Sequence, residues 1–253
     1  MYAAERQQAI LERARDVGRV EVVALSEALG VTVETVRRDL TALERLGVVR
    51  RVHGGALPVE RLMLEQHTAD RQVQATAEKR TIAERALTEI PHGGSVLLDS
   101  GTTTLAIAHA MPGDMSATVV TNSFAIAAAL ADRPSIDLVL LGGRVRHRTG
   151  AAVGGMTIEA LAGMCADVAF MGTNGFDVAH GFTTPDQAES DAKRAMVGAA
   201  RRAIVVSDST KAGQIHLHRF ARTADAAMLI TDLGLDRETA EDLEAAGVEV
   251  ARV

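Results

Sequence analysis

The stretch from Ser95 to Met111, SVLLDSGTTTLAIAHAM, places an aspartate, a glycine and three threonines between two apolar segments. The apolar run before Asp99 predicts a strand, and the segment after Thr104 predicts a helix. A helix that begins at such a turn presents free backbone N–H groups, and its dipole favours a negative charge there. The order therefore predicts an anion cradle of the kind that binds phosphate. It leaves open whether the phosphorylated compound is a substrate or a signal.

The composition limits the classes of protein to which the chain can belong. Its 253 residues suit one large domain or two smaller ones, and 47% hydrophobic with 24% charged residues predict a globular fold. Aromatic residues make up only 2%, which argues against single-strand nucleic-acid binding by base stacking. The single cysteine, Cys165, excludes an intrachain disulfide, and we expect it to be buried. Without an apolar run of ~18 residues or a secretory signal, a cytoplasmic protein with no membrane partner is expected.

Positive charge is grouped in the N-terminal part of the chain. Residues 1–58 carry nine Arg and eight Asp or Glu, and residues 59–253 carry 18 Arg or Lys and 25 Asp or Glu. The net charges are therefore +1 and −7. The pairs Arg37-Arg38 and Arg50-Arg51 nevertheless concentrate positive charge where phosphate contacts would need it.

Residues 1–58 have the pattern of a winged helix-turn-helix DNA-binding domain. The apolar periodicity predicts helices over 3–16 and 22–29 and a third helix capped by Thr32, followed by a basic hairpin that turns at residues 53–55. Periodicity alone would also fit an ordinary surface helix, and the tight turn and the basic hairpin favour DNA. The predicted DNA-binding residues are Thr32, Glu34, Thr35, Arg37, Arg38, Thr41, Arg50, Arg51 and His53.

Residues 59–75 form a predicted linker, and residues 76–253 a predicted second domain in which strands alternate with helices. Such alternation predicts an α/β fold with a mainly parallel sheet covered on both faces. The predicted strands are Val96–Asp99, Thr118–Thr121, Ile136–Leu141, Asp167–Met171, Ala203–Val206, Ala227–Thr231 and Val248–Val253. The predicted helices are Thr76–Ile90, Thr103–Met111, Ser123–Ala131, Thr157–Gly163, Asp186–Arg202 and Asp236–Ala246.

Ligands of parallel sheets bind at the carboxyl ends of the strands, so the residues that follow each strand should converge on one cleft. Glu189 and Lys193, four residues apart on the long helix, are either a surface ion pair or part of that cleft. Lys79 is expected to be a solvated helix residue. The polar residues that follow the strands are Asp99 to Thr104, Thr121 to Ser123, Gly142 to Arg144 with Arg146 and Arg148 close behind, Gly172 to Asp177 and Ser207 to Lys211.

Several ordered motifs resemble those of the DeoR-type bacterial transcriptional regulators over nearly the whole chain. The N-terminal ones are TVRRDL and HGGA, at residues 35–40 and 53–56. The C-terminal ones are DSGTTT, VVTNS, LLGGRVR, GTNGFD, GFTTPDQAESDAKRAM and VVSDSTKAG.

The resemblance implies a sensor fold similar to ribose-5-phosphate isomerase and an effector that is a phosphorylated sugar. The residues themselves show no metal-ligand spacing and no catalytic motif, so no metal, cofactor or catalytic residue is expected. The GFTTPDQAESDAKRAM segment looks most like regulators of fructose and other sugar-phosphotransferase genes, which suggests fructose 1-phosphate. The implied effector-binding residues are Asp99, Gly101, Thr102, Thr103, Thr104, Asn122, Gly142, Gly143, Arg144, Asn174, Gly175, Glu189, Lys193, Asp208 and Lys211.

One motif separates a sensor from an enzyme. Ribose-5-phosphate isomerases carry Asp-Gly-Ala-Asp-Glu where this chain has Met-Gly-Thr-Asn-Gly at residues 171–175, so the three carboxylates are absent. The chain is therefore expected to be a sugar-controlled repressor that binds double-stranded operator DNA as a homo-oligomer. A sugar-phosphate isomerase with a DNA-binding extension stays possible, because Asp99, Asp177 and Glu189 could act as bases. A non-sensing structural DNA protein is the third possibility.

Overall fold

The computed structural model describes residues 3–46, 48–52, 54–58 and 74–253. The chain divides into two compact units, one comprising Met1–Glu65 with Ala212–Gln214 and the other Gln66–Lys211 with Ile215–Val253. Most of the predicted linker, and His53 within the predicted hairpin turn, lie outside the described residues.

The N-terminal unit has the helices and the hairpin that the periodicity predicts. A short strand, β1, was not predicted; it pairs antiparallel with β3, which also pairs with β2. The elements are α1 (Ala3–Val17), β1 (Val20–Glu21), α2 (Val22–Leu29), α3 (Val33–Arg45), β2 (Val49–Val52) and β3 (Gly55–Pro58).

Local sequence signals set the turn between α2 and α3. Gly30 ends α2 in the left-handed region at φ 63°, where a side chain would be strained. Thr32 caps α3, because its hydroxyl accepts a hydrogen bond from the Thr35 N–H at 3.2 Å. The apolar stripe of α3, which includes Val36 and Leu40, is buried in the core of this unit.

The C-terminal unit contains a seven-stranded sheet in which every pair of neighbours is parallel. The strand order is β15-β14-β12-β9-β4-β5-β6. The α/β architecture of the prediction is therefore confirmed. The strands are β4 (Ser95–Leu98), β5 (Ala117–Thr121), β6 (Ile136–Leu140), β9 (Ala166–Gly172), β12 (Ala200–Val206), β14 (Met228–Thr231) and β15 (Glu249–Arg252).

Among the described residues, this unit also has two small antiparallel sheets and six α-helices. The predicted strands did not include those of the small sheets, which are only three or four residues long: β7 (Arg144–Arg146) with β8 (Ala151–Val153), and β10 (Gly175–Asp177), β11 (Gly181–Thr184) and β13 (His218–Ala221). The helices are α4 (Thr76–Leu87), α5 (Thr102–Ala110), α6 (Phe124–Leu130), α7 (Gly155–Ala162), α8 (Gln187–Gly198) and α9 (Arg237–Ala245).

The seven-stranded sheet is buried on both faces. On one face, Leu98 and Phe170 pack in a cluster with Ile82 of α4 and Ile107 of α5. Residues on the opposite face, such as Leu97 and Val205, are also fully buried, and α8 packs against β9 and β12. The near-continuous apolar runs of the strands follow from burial on two sides.

Three sequence expectations are wrong in detail. The helix predicted to end at Arg202 ends at Gly198, because Ala200 and the two residues after it pair with β9 instead. Cys165 is exposed rather than buried, since it lies in the turn between α7 and β9. Lys79 is buried rather than solvated, because it shares the inward face of α4 with Ile82, and its Nζ donates to the Gln74 carbonyl at 2.5 Å.

Replacing Phe170 by alanine should destabilise the C-terminal unit by about 3–5 kcal/mol, because the ring fills the centre of the core and the sheet cannot collapse around the cavity. Urea unfolding followed by circular dichroism measures the change. Leu217→Ala is the matched control, because Leu217 is 83% exposed and its loss should cost about 0.5 kcal/mol or less. Equal effects of the two substitutions would contradict this assignment of the core.

Candidate functional site

The order in which strands are added to the seven-stranded sheet reverses between β4 and β9. From β4 it proceeds outward through β5 to β6, and it then returns to β9 on the other side of β4 and continues outward through β12 and β14 to β15. Neighbouring strands at such a switch point send their following loops in opposite directions, which opens a crevice at their carboxyl ends. The residues that follow β4 and β9 therefore occupy the position where a ligand of this architecture would bind.

A buried ion pair lies at this switch point. Lys193 of α8 contacts the Asp99 carboxylate, and the two side chains are 4% and 1% exposed. Asp99 Oδ2 also accepts from the Gly172 N–H at 3.0 Å, and Lys193 Nζ donates to the Gly172 carbonyl at 2.9 Å. The ammonium lies 5.3 Å from the centroid of the Phe220 ring, within the range of a cation–π interaction. The pair thus ties the ends of β4 and β9 to α8.

The second oxygen of Asp99 is chemically available. Asp99 Oδ1 is buried and has no hydrogen-bond partner among the residues that the structure describes. Burial raises the pKa of the Asp99 carboxyl above its ordinary value, although the Lys193 ammonium opposes that rise. A buried carboxylate oxygen without a donor is costly, so this atom is suited to accept a hydrogen bond from a ligand.

The predicted cradle follows Asp99 directly. Helix α5 begins at Thr102, with Gly101 as its N-cap in an extended conformation and with no side-chain cap. The first-turn N–H groups of an α-helix lack partners within the helix and attract anions. Thr104, however, turns its hydroxyl back to the Asp99 carbonyl at 2.6 Å, so its side chain shapes the loop rather than facing a ligand.

Asn122 holds two loops together. Its Oδ1 accepts from the Ser100 N–H at 3.1 Å, and its Nδ2 donates to the Ala152 carbonyl at 3.0 Å. Each end of the amide thereby makes one hydrogen bond within the protein. The structure gives this predicted ligand contact the role of joining the loop after β4 to strand β8.

Glu189 and Lys193 do not pair with each other, and neither is at the surface. Glu189 is buried, and its Oε1 accepts from Arg146 Nη1 at 2.6 Å and from Thr149 Oγ1 at 2.5 Å. Arg146 also pairs with Asp186, at 3.2 Å. The surface-pair alternative for Glu189 and Lys193 is therefore wrong, because each charge has a separate buried partner.

Residues of β11 and the loop after β9 border the same cluster. The Thr184 hydroxyl lies 3.1 Å from Asn174 Oδ1 and 3.5 Å from Glu189 Oε2. The Gly175 carbonyl accepts from the hydroxyls of Thr173 and Thr183. Hydrogen bonds and packing thus connect Asp99, Asn122, Asn174, Glu189 and Lys193.

Other predicted residues lie in the loops after β6 and β12 and on β7. The Gly142 carbonyl accepts from Thr157, and Gly143 has a φ of 151° and no room for a side chain beside Thr157. Arg144 is exposed on β7. Asp208 accepts from the Thr210 N–H within its own loop, and Lys211 ends the short 3-10 helix Ser209–Lys211.

Sequence reasoning did not assign roles to four polar or aromatic residues of the cluster. Arg146 follows a predicted strand closely, so its position gave a weak signal. Thr149, Thr184 and Phe220 gave none, because their place in the cluster depends on the two small sheets, which were not predicted.

In the N-terminal unit, α3 presents a polar face. Glu34, Arg37 and Arg38 are exposed, and Thr35 and Thr41 are half-buried. Arg51 of β2 donates to Thr41 Oγ1 at 3.2 Å, which ties the hairpin to α3. His53 lies outside the described residues. Of the other predicted DNA-binding residues, Thr32 is exposed at the start of α3 and Arg50 is half-buried on β2.

A buried ion pair fixes the position of α3. Asp39 accepts from Arg6 Nε at 2.5 Å and from Gln7 Nε2 at 3.1 Å, both on α1. Asp39 belongs to the TVRRDL motif, whose role the sequence alone did not separate from that of the two arginines beside it. The inward aspartate positions the helix, and the outward Arg37 and Arg38 stay accessible.

No group of three His, Cys, Asp or Glu side chains that could hold a metal ion occurs among the described residues. Within the same part of the chain, no helix has the length and apolar character needed to cross a membrane.

Both units match known families. Residues 6–61 match the DeoR-like helix-turn-helix domain, and residues 74–233 match the DeoR C terminal sensor domain. The chain is 38% identical over 250 residues to the HTH-type transcriptional regulator GlpR of Haloferax volcanii, covering 99% of this chain and 98% of that one. It is 32% identical over 215 residues to the glycerol-3-phosphate regulon repressor of Escherichia coli K12, covering 85% and 84%.

Among solved structures, the chain resembles ribose 5-phosphate isomerase A from Neisseria gonorrhoeae, with a TM-score of 0.39 and 17% identity. The similarity covers 53% of this chain and 52% of that one.

Replacing Lys193 by methionine should destabilise the C-terminal unit by about 3–5 kcal/mol, because it leaves the Asp99 carboxylate buried without its counter-charge. The double variant Lys193→Met/Asp99→Asn should lose less, since no uncompensated charge is left. Urea unfolding of the single and double variants measures the coupling. Simple additivity of the single effects would show that the two side chains do not depend on each other.

Proposed function

The chain belongs to the DeoR family of transcriptional regulators, and we propose that it is a repressor of sugar-uptake or catabolic genes controlled by a phosphorylated sugar. The proposal rests chiefly on the buried ion pair of Asp99 and Lys193. This pair lies at the switch point of the seven-stranded parallel sheet, beside the start of α5. This arrangement supplies an unpaired acceptor and a helix N-terminus, which suit the hydroxyl groups and the phosphate of one ligand.

The effector that we propose is fructose 1-phosphate. The GFTTPDQAESDAKRAM segment, which contains Glu189 and Lys193, resembles that of regulators of fructose and other sugar-phosphotransferase genes. A relative named for the glycerol-3-phosphate regulon supports the broader class of small phosphorylated polyols. On this proposal, the phosphate lies at Gly101 to Thr103 and near Lys211, and the hydroxyl groups lie at Asp99, Asn174 and Glu189.

We propose that the chain has no isomerase activity. Proton transfer needs a group that can take and give protons within reach of the substrate. The isomerase carboxylates are replaced at residues 171–175 by Met-Gly-Thr-Asn-Gly. Asp99 and Glu189 are engaged in ion pairs with Lys193 and Arg146, which favours binding over proton transfer.

We further propose that α3 and the β2–β3 hairpin bind the operator. Two or more such DNA-binding domains, one from each protomer, act together. A recognition helix places the residues of its exposed face against base edges in the major groove. The net charge of +1 over residues 1–58 makes one such domain a weak DNA binder, so a symmetric homo-oligomer, a dimer or tetramer, is expected.

Arg37→Ala should abolish specific operator binding while leaving effector binding intact. Arg37 is exposed and its ion pair with Glu34, at 3.9 Å, is too exposed to matter for folding. The loss of a guanine contact should cost about 1–3 kcal/mol per DNA-binding domain. Fluorescence anisotropy on a duplex selected from random DNA by the wild-type protein measures it. Arg13→Ala, an exposed substitution on α1, is the control, and retained affinity in Arg37→Ala would exclude Arg37 from recognition.

Fructose 1-phosphate should raise the melting temperature of the wild-type protein, because a ligand that binds only the native state stabilises it by about 2.7 kcal/mol at a hundred times its Kd. Asp99→Asn should largely remove this shift and leave DNA affinity unchanged. Differential scanning fluorimetry with a panel of phosphorylated sugars measures the shift, and Asp114→Asn, an exposed substitution in the turn before β5, is the control.

Two results would contradict the sensor proposal. If no phosphorylated sugar shifted the melting temperature, the protein would be a DNA-binding protein without this effector site. If ribose 5-phosphate or a fructose phosphate were converted at about 1 per second or faster, a typical enzyme rate, the protein would be an isomerase.

A further inference from the structure

We infer that Arg146 is a positioning residue for Glu189. It holds the carboxylate so that one oxygen accepts hydrogen bonds from the hydroxyl groups of the effector, at a place separate from the phosphate. The inference rests on the proposed function and assigns a role to a residue that the sequence places just after a strand end without giving it a role. On this inference, the effectors that the cleft binds are limited to phosphate esters with free hydroxyl groups that can donate hydrogen bonds.

The two carboxylate oxygens of Glu189 are in different states. Oε1 accepts two short hydrogen bonds, from Arg146 at 2.6 Å and Thr149 at 2.5 Å. Among the residues that the structure describes, Oε2 is within reach only of the Thr184 hydroxyl, at 3.5 Å, which is the outer limit of a hydrogen bond. One oxygen is therefore occupied within the protein and the other retains most of its capacity to accept.

The Thr184 hydroxyl cannot satisfy both of its neighbours. A threonine side chain has one proton to donate, and Asn174 Oδ1, at 3.1 Å, is the nearer acceptor. When the proton goes to Asn174, Glu189 Oε2 has no strong donor from Thr184. Glu189 Oε2 therefore lacks a strong hydrogen-bond donor among the described residues of the cluster.

Asp99 adds a second acceptor to the same region. Asp99 Oδ1 has no hydrogen-bond partner among the described residues, and the negative charge of Glu189 contributes to the raised pKa of the Asp99 carboxyl. The two acidic residues also share a link through α8, because Lys193, the partner of Asp99, follows Glu189 by one helical turn.

These two acceptors exclude a phosphate group and favour hydroxyl groups. A phosphate dianion has no proton to donate to these carboxylate oxygens, whereas a hydroxyl can donate to them and relieve the cost of their buried lone pairs. The start of α5 offers the phosphate a separate place. The part of the cleft that accepts hydrogen bonds from hydroxyl groups is therefore chemically distinct from the part that binds phosphate.

Arg146 acts through Glu189 rather than by binding the phosphate itself. Its guanidinium pairs with Glu189 and with Asp186, so two carboxylates offset its charge. It reaches them from β7, whose partner β8 is held by Asn122 and packs with Ala192 of α8. The hairpin therefore supplies a fixed donor that selects which oxygen of Glu189 is left for the ligand.

A double-mutant cycle between Arg146→Met and Glu189→Gln tests the inference. Isothermal titration with fructose 1-phosphate should show about tenfold weaker binding for Arg146→Met, the loss of one hydrogen bond to a charged group. Inorganic phosphate should bind Arg146→Met as it binds the wild type. In the Glu189→Gln background, Arg146→Met should cause no further loss, because the residue acts through Glu189. Arg80→Met, in the exposed Arg80–Glu84 pair, is the matched control.

Equal weakening of both probes by Arg146→Met, or full additivity with Glu189→Gln, would overturn the inference, because Arg146 would then bind the phosphate or act on the fold as a whole. If the wild type bound inorganic phosphate but no phosphorylated sugar, the proposed function would fail instead. Should Arg146→Met not fold, Arg146→Lys replaces it in the cycle, since lysine keeps the charge but cannot provide the paired N–H groups. Unchanged sugar-phosphate binding in Arg146→Lys would then count against the inference.

Discussion

The buried contact between Asp99 and Lys193 is the constraint on which the architecture of the candidate site depends. It joins the loop after β4, the end of β9 and helix α8, three elements that are far apart in the sequence. Burying two charges costs several kcal/mol in lost hydration, which their attraction only offsets when the geometry and additional hydrogen bonds are good. Such a pair contributes little net stability. Its effect is to fix where one carboxylate oxygen points, and that oxygen has no partner among the described residues.

The same principle organises the surroundings of Glu189. Arg146 and Thr149 occupy one carboxylate oxygen, and the other stays close only to a hydroxyl that has a nearer acceptor. Internal donors thus determine which acceptors face a ligand. Because both acidic side chains are held by cations of the protein, the cleft can offer acceptors without carrying a large excess of negative charge. On the proposed function, one ligand brings its hydroxyl groups to the carboxylates and its phosphate to the start of α5.

In the N-terminal unit, a buried pair likewise positions residues that stay exposed. Asp39 lies inward against Arg6, while Arg37 and Arg38, immediately before it in the chain, face solvent. Helical geometry makes this possible, because neighbouring residues point about 100° apart around the axis. The hairpin is joined to the same helix by the contact of Arg51 with Thr41. The charge that holds the helix and the two exposed charges that we propose bind DNA therefore come from one short motif.

The sequence by itself determined the order and type of the main elements, because periodicity, the cap at Thr32 and the glycine at residue 30 act locally. It also indicated the strand ends where polar residues gather, since parallel strands share one edge. It did not determine which of those residues meet. The strand order places β9 beside β4, and the short β7–β8 hairpin brings Arg146 to Glu189; both depend on contacts between residues distant in the chain. For the same reason the i, i+4 spacing of Glu189 and Lys193 was ambiguous, and only the tertiary structure shows that each side chain pairs with a different partner in the interior.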